Sequence, residues 1–334
     1  MDRLYAFMRN NLLSRDKLNY EAGPAKNIHY GDIHTKFPVL FDITKERVPF
    51  VSDAQDVAAE GSEDYCIEGD VIFADASEDM NDVGKAMEVI FLNGERLLSG
   101  QHTILARRKD ESLIIGFGGY LFRSGLIRSR IQKEAQGTKV YQISSSRLGG
   151  IDIAYPADTD EQKKIADCLT SLDEVIAAQG RKVEALKAHK RGLMQQLFPR
   201  EGETRPRLRF PEFRDADEWE RKGLASIAAQ GLTNGVFNNA KAEAGTYRLI
   251  NVREMYLPNP LVETDLAFAQ TSKEEAEKKL VCYGDVFFTR SSLVREGIAY
   301  SNIYIGSDGT TTFDGHVIRL RPNRKIVKPL FLHY

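Results

Sequence analysis

Cysteine is scarce: Cys66, Cys168 and Cys282 are the only three in 334 residues, each far from the next. No pair has the close spacing of a zinc ligand set or a redox motif, so three small buried hydrophobes and no metal are expected. Long apolar runs are also missing. None approaches the ~18 residues needed to cross a bilayer, and the opening MDRLYAFMRNN lacks the apolar core and small-residue cleavage site of a secretory signal. A cytoplasmic chain with no membrane partner is the expectation. Nucleotide chemistry finds no footing either: DVGKAM (82–87) has neither the preceding glycine nor the hydroxyl residue of a phosphate-cradling loop. LPNPLVE (257–263) lacks the doubled proline and the aromatic of a methyl-transfer motif. Asp75, Glu78 and Asp79 have the chemistry to hold a metal, but no nearby basic residue completes a nuclease-like set, and a solvated loop is the plainer reading. No catalytic residue and no cofactor is expected.

The composition is that of a soluble globular protein, with 42% apolar and 28% charged residues. Its length suits two cores. The net charge of −2 neither demands nor excludes nucleic acid, because a local basic face suffices. The distribution is lopsided. Val48 to Gly84 holds eleven carboxylates and no Lys or Arg, whereas Arg123 to Arg147 holds six basic residues and only Glu134. If these segments lie on opposite surfaces, the domain has one acidic and one basic side.

The chain reads as though built twice. EGDVIFADAS (68–77) returns as YGDVFFTRSS (283–292), each a Gly-Asp turn running into alternating β-branched and aromatic residues. Gly69 and Gly284 begin the phrases, and 31 residues on stand Gly100 and Gly315; both pairs are offset by 215. A histidine follows each, His102 after one intervening residue and His316 directly, and an alternating strand then runs to Arg107 and Arg321. Two related β-rich domains with a few short helices fit this pattern.

Between them lies a heptad. Apolar residues at Ile165, Leu169, Leu172, Ile176, Val183, Leu186, Leu193 and Leu197, with Gln179 and Lys190 as polar interruptions, alternate steps of four and three. This predicts a helix of roughly 55 to 60 Å, bounded by Pro156 and Pro199. Acidic residues gather in its first half and basic ones in its second, complementing the helix dipole. A narrow stripe of that length calls for a partner helix, and no comparable second heptad stretch is present. The alternative is a core helix lying across one domain, which would show a wider apolar face.

These residues carry a resemblance. EQKKIADCLTSLDEVIAAQGRKVEALKAHKRGLMQQLFP, with the preceding GTKVYQISSSRLGGIDIAYP, resembles the central region of the DNA-specificity subunit of type I restriction-modification systems. NIHYGDIHTKFP and GDVIFADASED are similar to one class of that family's target recognition domains. The resemblance implies an α+β chain: a first target recognition domain over 1–157, a long central helix over 158–199 for coiled-coil and partner docking, and a second, incomplete recognition domain over 200–334. It further implies a non-catalytic protein that binds double-stranded DNA at a bipartite site and docks methyltransferase subunits and, through the complex, a restriction subunit. In the family two helices pair antiparallel. Aligning PLFLHY with GGYLFRS sets Tyr334 near Phe122 of the first copy, so about 35 residues and the second helix have no counterpart, and Trp219 has no match ahead of Met1. The expectation is a chain shortened at the C-terminus, and at the N-terminus by the same comparison, which a homodimer would complete. The rival from another class is a structural assembly protein whose helix joins β-rich domains that bind protein or glycan.

Candidate DNA contacts sort by what each can do. Arg290, Ser291, Ser292 and Arg295 sit in the loop after the second copy's strand; arginine grips guanine O6 and N7 with two hydrogen bonds, and serine bonds bases or phosphate. The equivalent first-copy loop is ADASED, where Asp75 falls opposite Arg290 and can accept from cytosine N4, with Ser77 beside it. His34 and Lys36 of GDIHTKFP follow, and Thr138 and Lys139 of the Gly-Thr-Lys turn offer hydroxyl and ammonium to a phosphate. Asn251 and Arg253 fall, by loose alignment, where His34's segment lies. For the arginines a surface salt bridge is the plainer reading, for Asp75 a solvated acidic loop, and for the Gly-Thr-Lys turn a plain entry into a strand.

Overall fold

Residues 1–237, 245–307 and 309–334 are described by a computed structural model, in which the chain divides into two units, Met1–Ala188 and His189–Tyr334. The fold is mixed α+β, with sheets in both units and one long helix.

The first unit centres on five strands in the order Tyr5–Met8, Thr103–Arg108, Val71–Ala74, Ala86–Phe91 and Leu40–Asp42. All neighbours are antiparallel except the last pair. Both faces are covered, and the two-residue period of a strand sorts the side chains between them. Val71 and Phe73 point into one core with Tyr5, Phe122 and Ile131; Ile72 and Ala74 point into the other with Ile33, Phe41 and Met87. Short helices Gly118–Arg123 and Gly125–Glu134 supply the first face, and Tyr30–Thr35 the second. Four short strands, Leu18–Asn19, Phe50–Val51, Lys26–Ile28 and Leu97–Ser99, form a further sheet, and Ala76–Ser77 pairs with Tyr141–Gln142 as a ribbon.

The second unit repeats this plan. Its main sheet runs Ala228–Asn234, Val317–Pro322, Val286–Thr289 and Ser301–Ile303, beside a three-stranded sheet of Ala267–Phe268, Arg248–Ile250 and Thr311–Phe313. Its core gathers Ile250, Phe287, Tyr304, Phe313 and Val317.

The repeat holds hydrogen bond by hydrogen bond. Gly69 and Gly284 both take left-handed backbone, φ 91° and 84°, which a residue with a Cβ rarely adopts. Their N–H groups donate to Val89 O and Tyr304 O, each at 2.7 Å. The next residue is a buried aspartate that accepts two bonds from an arginine on the neighbouring strand. Asp70 takes Arg107 Nε and Nη2 at 3.1 and 2.9 Å; Asp285 takes Arg321 Nε and Nη2 at 2.8 and 2.7 Å. Each aspartate also accepts a backbone N–H at 2.9 Å, from Ile67 and from Cys282.

The sequence pairing of Gly100 with Gly315 is corrected by one position. Gly100 N donates to Ile28 O and Asp314 N to Ile250 O, both at 2.9 Å, while the strands Lys26–Ile28 and Arg248–Ile250 hold matched registers against Leu97–Ser99 and Thr311–Phe313. Gly100 therefore corresponds to Asp314, and His102 to His316. The turn from Tyr304 to Thr311 is one residue shorter than that from Val89 to Leu97, and this absorbs the slip.

The two charged segments of the first unit touch rather than oppose. Arg128 Nη2 donates to Asn81 O at 2.9 Å and Val83 O at 2.6 Å, and Arg123 Nε to Ala86 O at 2.7 Å. The basic helix caps the end of the acidic segment, and burial lowers the pKa of both arginines. Of the cysteines only Cys66 is a buried hydrophobe; Cys168 and Cys282 are exposed. Cys168 falls on the open side of the long helix, and Cys282 in a turn whose N–H, not its thiol, is engaged by Asp285.

The heptad segment is one helix, Thr159–Leu197. Its first turns pack on the first unit through Ala166 and a fully buried Gln162, whose Nε2 donates to Ser112 O at 2.8 Å and Pro156 O at 2.7 Å while its Oε1 accepts from Ile114 N at 3.0 Å. Tyr120 adds a bond to Asp173 at 2.8 Å. Beyond that the stripe lies open: Leu172 is 54% exposed, Ile176 68%, Val183 48% and Leu186 57%. A helix lying across one domain is thereby ruled out for this stretch. Among the described residues no helix is long and apolar enough to cross a membrane.

Candidate nucleic-acid interface

In the first unit the candidates collect around the end of the strand Val71–Ala74. Asp75 is fixed by its backbone, donating to His102 O at 3.0 Å and accepting from Ile143 N at 2.9 Å. Its carboxylate turns toward the imidazole of His102, with Oδ1 3.3 Å from Nδ1. Burial raises the Asp75 pKa, and the neighbouring imidazole opposes that. His102 itself sits in left-handed backbone, φ 58°. Tyr30 bridges three imidazoles: its ring lies 4.5 Å from His29, 5.8 Å from His34 and 5.3 Å from His102. His34 Nε2 stands 3.1 Å from Ala76 O, on the same ribbon as Ser77.

The ribbon's second strand leads back through a tight loop in which Gln136 and Gln142 exchange bonds of 2.8 and 2.7 Å. Gly137 takes φ 125°, and a Cβ there would meet Val140 O at 1.9 Å, so the turn needs glycine. Thr138 and Lys139 are carried exposed at its tip. A cavity of about 520 Å³ opens between this loop, Asp75, His102, Ser144 and Arg147.

Two candidates are otherwise engaged. Lys36 pairs with the buried Asp32 at 2.8 Å and donates to Tyr20 Oη at 3.2 Å; these bonds raise its pKa. Ser77 is buried, and its Oγ accepts from Asp79 N at 3.0 Å, closing the following turn.

In the second unit Arg290 occupies the position of Asp75: its N–H donates to His316 O at 2.9 Å, as that of Asp75 donates to His102 O. Arg290, Ser291 and Arg295 are exposed, and among the described residues neither guanidinium has a hydrogen-bond or ion-pair partner. Ser292 Oγ accepts from Val294 N at 3.2 Å. Asn251 corresponds to His29, one turn ahead of His34, because Ile250 and Ile28 end matched strands. Its Oδ1 accepts from Val252 N at 2.8 Å. Arg253 is 89% exposed and lies 3.1 Å from Glu254. The position of His34 falls to Tyr256, whose hydroxyl donates to Gly297 O at 3.1 Å. Tyr30, His29 and Tyr256 escaped the sequence reading, and His102 figured there only as a marker of the repeat. Its duplication in His316 was the signal available. Among the described residues no His, Cys, Asp and Glu cluster could hold a metal ion.

Two strand-built units of one plan, sharing a long helix with an open heptad stripe, define a class of tandem-domain protein. Residues 44–188 match the family model of the type I restriction modification DNA specificity domain. Two solved structures share the fold. One is the S subunit of a type I restriction-modification system from M. genitalium, with a TM-score of 0.51 and 13% identity over 99% of this chain and 74% of that one. The other comes from a structure of complex assembly and conformational transition of the type I R-M system, with a TM-score of 0.51 and 14% identity over 98% of this chain and 78% of that one. A search of curated proteins finds no match.

Proposed function

We propose that this chain is the DNA-specificity subunit of a type I restriction-modification complex, aiming methyltransferase and restriction subunits at a bipartite DNA site. One observation carries the reading: a single backbone position, at the end of the same strand in two copies of one fold, holds Asp75 in the first unit and Arg290 in the second. An acceptor in one copy and a bidentate donor in the other suit two different half-sites, aspartate taking the cytosine N4 amino group and arginine the guanine O6 and N7. Thr138 and Lys139, exposed beside Asp75, supply phosphate contacts that set affinity and its salt dependence without setting sequence. The role is non-catalytic and needs no cofactor of its own. A base inside the stacked duplex must be extruded to be methylated, and that step falls to the partner.

The open stripe from Leu172 to Leu186 supports a docking role for the helix, filled by a partner subunit or by a second copy of the chain. Selection from a random duplex pool tests the reading. Enrichment of an interrupted sequence, bound with a steep loss of affinity as salt rises, is the expected outcome. Binding that is weak, unselective and insensitive to salt would favour a structural assembly protein instead.

A further inference from the structure

The loops after the matched strands differ in more than Asp75 and Arg290. In the first unit the following residues are stitched to Tyr141–Gln142, and Met80 packs against the core. In the second unit the loop stands clear, with Leu293 at 106% relative exposure and Val294 at 61%. A single exposed leucine is ordinary. This one coincides with two further features.

The first is a held base. The hydroxyls of Thr289 and Tyr256 both donate to Gly297 O, and Ser292 Oγ accepts from Val294 N at 3.2 Å. A Cβ at Gly297 would come within 2.2 Å of Ser292 Oγ and 2.8 Å of Tyr256 Oη, so any larger residue there would have to displace these two side chains. The second is charge. Arg290 and Arg295 flank the leucine on either side, both exposed and both without a hydrogen-bond or ion-pair partner among the described residues. A water-facing apolar tip between two free guanidinium groups is the chemistry of a side chain that enters a polyanion.

We propose that Leu293 is a wedge that inserts between stacked base pairs of the half-site read by the second unit, with Arg290 and Arg295 holding the duplex on either side. The inference rests on the DNA-recognition reading above. Apolar side chains inserted at a base step unstack it and kink the duplex, and pyrimidine–purine steps yield most readily. The second half-site therefore contains such a step, and its specificity draws on deformability as well as on base contacts. Only that half is unstacked, because the first unit's loop offers no matching tip.

The test uses the full chain and duplexes enriched by selection, with 2-aminopurine placed at successive positions. Wild-type protein brightens one step in one half-site. Leu293→Ala abolishes the brightening and weakens binding by about tenfold, the burial of one leucine side chain, without changing the salt slope. Arg295→Ala lowers the salt slope and keeps the brightening. A Leu293→Ala protein with unchanged affinity and brightening, or a wild type that brightens no step, overturns the wedge. If Leu293→Ala instead loses only assembly with the methyltransferase subunit, the loop is a protein contact and the wedge is wrong. If no duplex is enriched at all, the DNA-recognition reading falls and the wedge with it.

Discussion

Replacing Asp285 with alanine should destabilise the second unit selectively. Asp285 is 1% exposed and accepts three short bonds, from Arg321 Nε at 2.8 Å, Arg321 Nη2 at 2.7 Å and Cys282 N at 2.9 Å; Arg319 approaches to 3.9 Å. Its removal leaves two largely buried guanidinium groups and one turn N–H uncompensated. Breaking a buried pair from one side costs about 3–5 kcal/mol. Against a typical domain stability of about 5–15 kcal/mol that is about a fifth or more of the total. For a unit of this size it lowers the melting temperature by roughly 10–15 °C. Calorimetry of the full chain, with hydrogen exchange to assign each transition, reads the effect. Asp70→Ala, removing the partner of Arg107, should do the same to the first unit alone. The double variant Asp285→Leu with Arg321→Met should recover part of the loss, because the unpaired charge goes with its partner. Recovery stays partial, since Arg321 also donates to Leu280 O at 2.9 Å. A loss below about 1 kcal/mol, the worth of a surface pair, would refute the reading of this repeated ion pair as a buried clamp between neighbouring strands in each copy.

Arg290→Ala should relax discrimination at one base pair by about 1–3 kcal/mol, whereas Lys139→Ala should weaken all sequences alike and reduce the salt slope by about one; competition binding at several salt concentrations separates the two. Ile176→Lys and Leu186→Lys, at 68% and 57% exposure, should leave the chain's own stability within about 0.5 kcal/mol yet impair co-purification with a methyltransferase subunit; a large stability loss would mean the stripe is already filled. The pH dependence should reflect two buried groups of opposite sign. Burial raises Glu88 to about 7 despite bonds from Gly116 N and Gly119 N, so its folded form holds a proton longer than its unfolded form and stability falls as pH rises from about 4.5 to 7. Burial lowers His29 to about 4, so its contribution is present above about 6.5 and lost as pH falls toward 4. The two offset each other in the wild type. His29→Asn, which keeps a capping acceptor for Gly31 N, should therefore expose the Glu88 slope, with urea midpoints at pH 5 above those at pH 7; equal midpoints in that variant would contradict the raised pKa of the buried Glu88 carboxyl.

The duplication and the central helix were legible because both are written in local patterns. A left-handed glycine followed by a buried aspartate and an alternating strand marks each copy, and a heptad marks the helix. The equivalence of Asp75 and Arg290 followed from the same offset, and the hydrogen bonds to His102 O and His316 O bear it out as a structural correspondence. What was hidden depends on cross-chain pairing. Asp75 meets His102 only because their two strands are neighbours, and no spacing in the sequence encodes that. Lys36 is drawn to Asp32 across one helical turn, and Ser77 is used up by its own turn. The acidic and basic segments, distinct in sequence, meet because the helix Gly125–Glu134 folds back onto the turn at Asn81. The one-residue slip at Gly100 reflects a shortened turn, which a fixed offset does not register.

The central claim is that two differently equipped units read two halves of one DNA site. Mapping methylated adenines genome-wide, in cells that carry a type I methyltransferase subunit with and without this chain, tests it most directly. The account predicts an interrupted motif with two unlike halves, methylated only when the chain is present, and altered in one half alone by Arg290→Ala. A contiguous motif, or a methylation pattern indifferent to the chain, would contradict it.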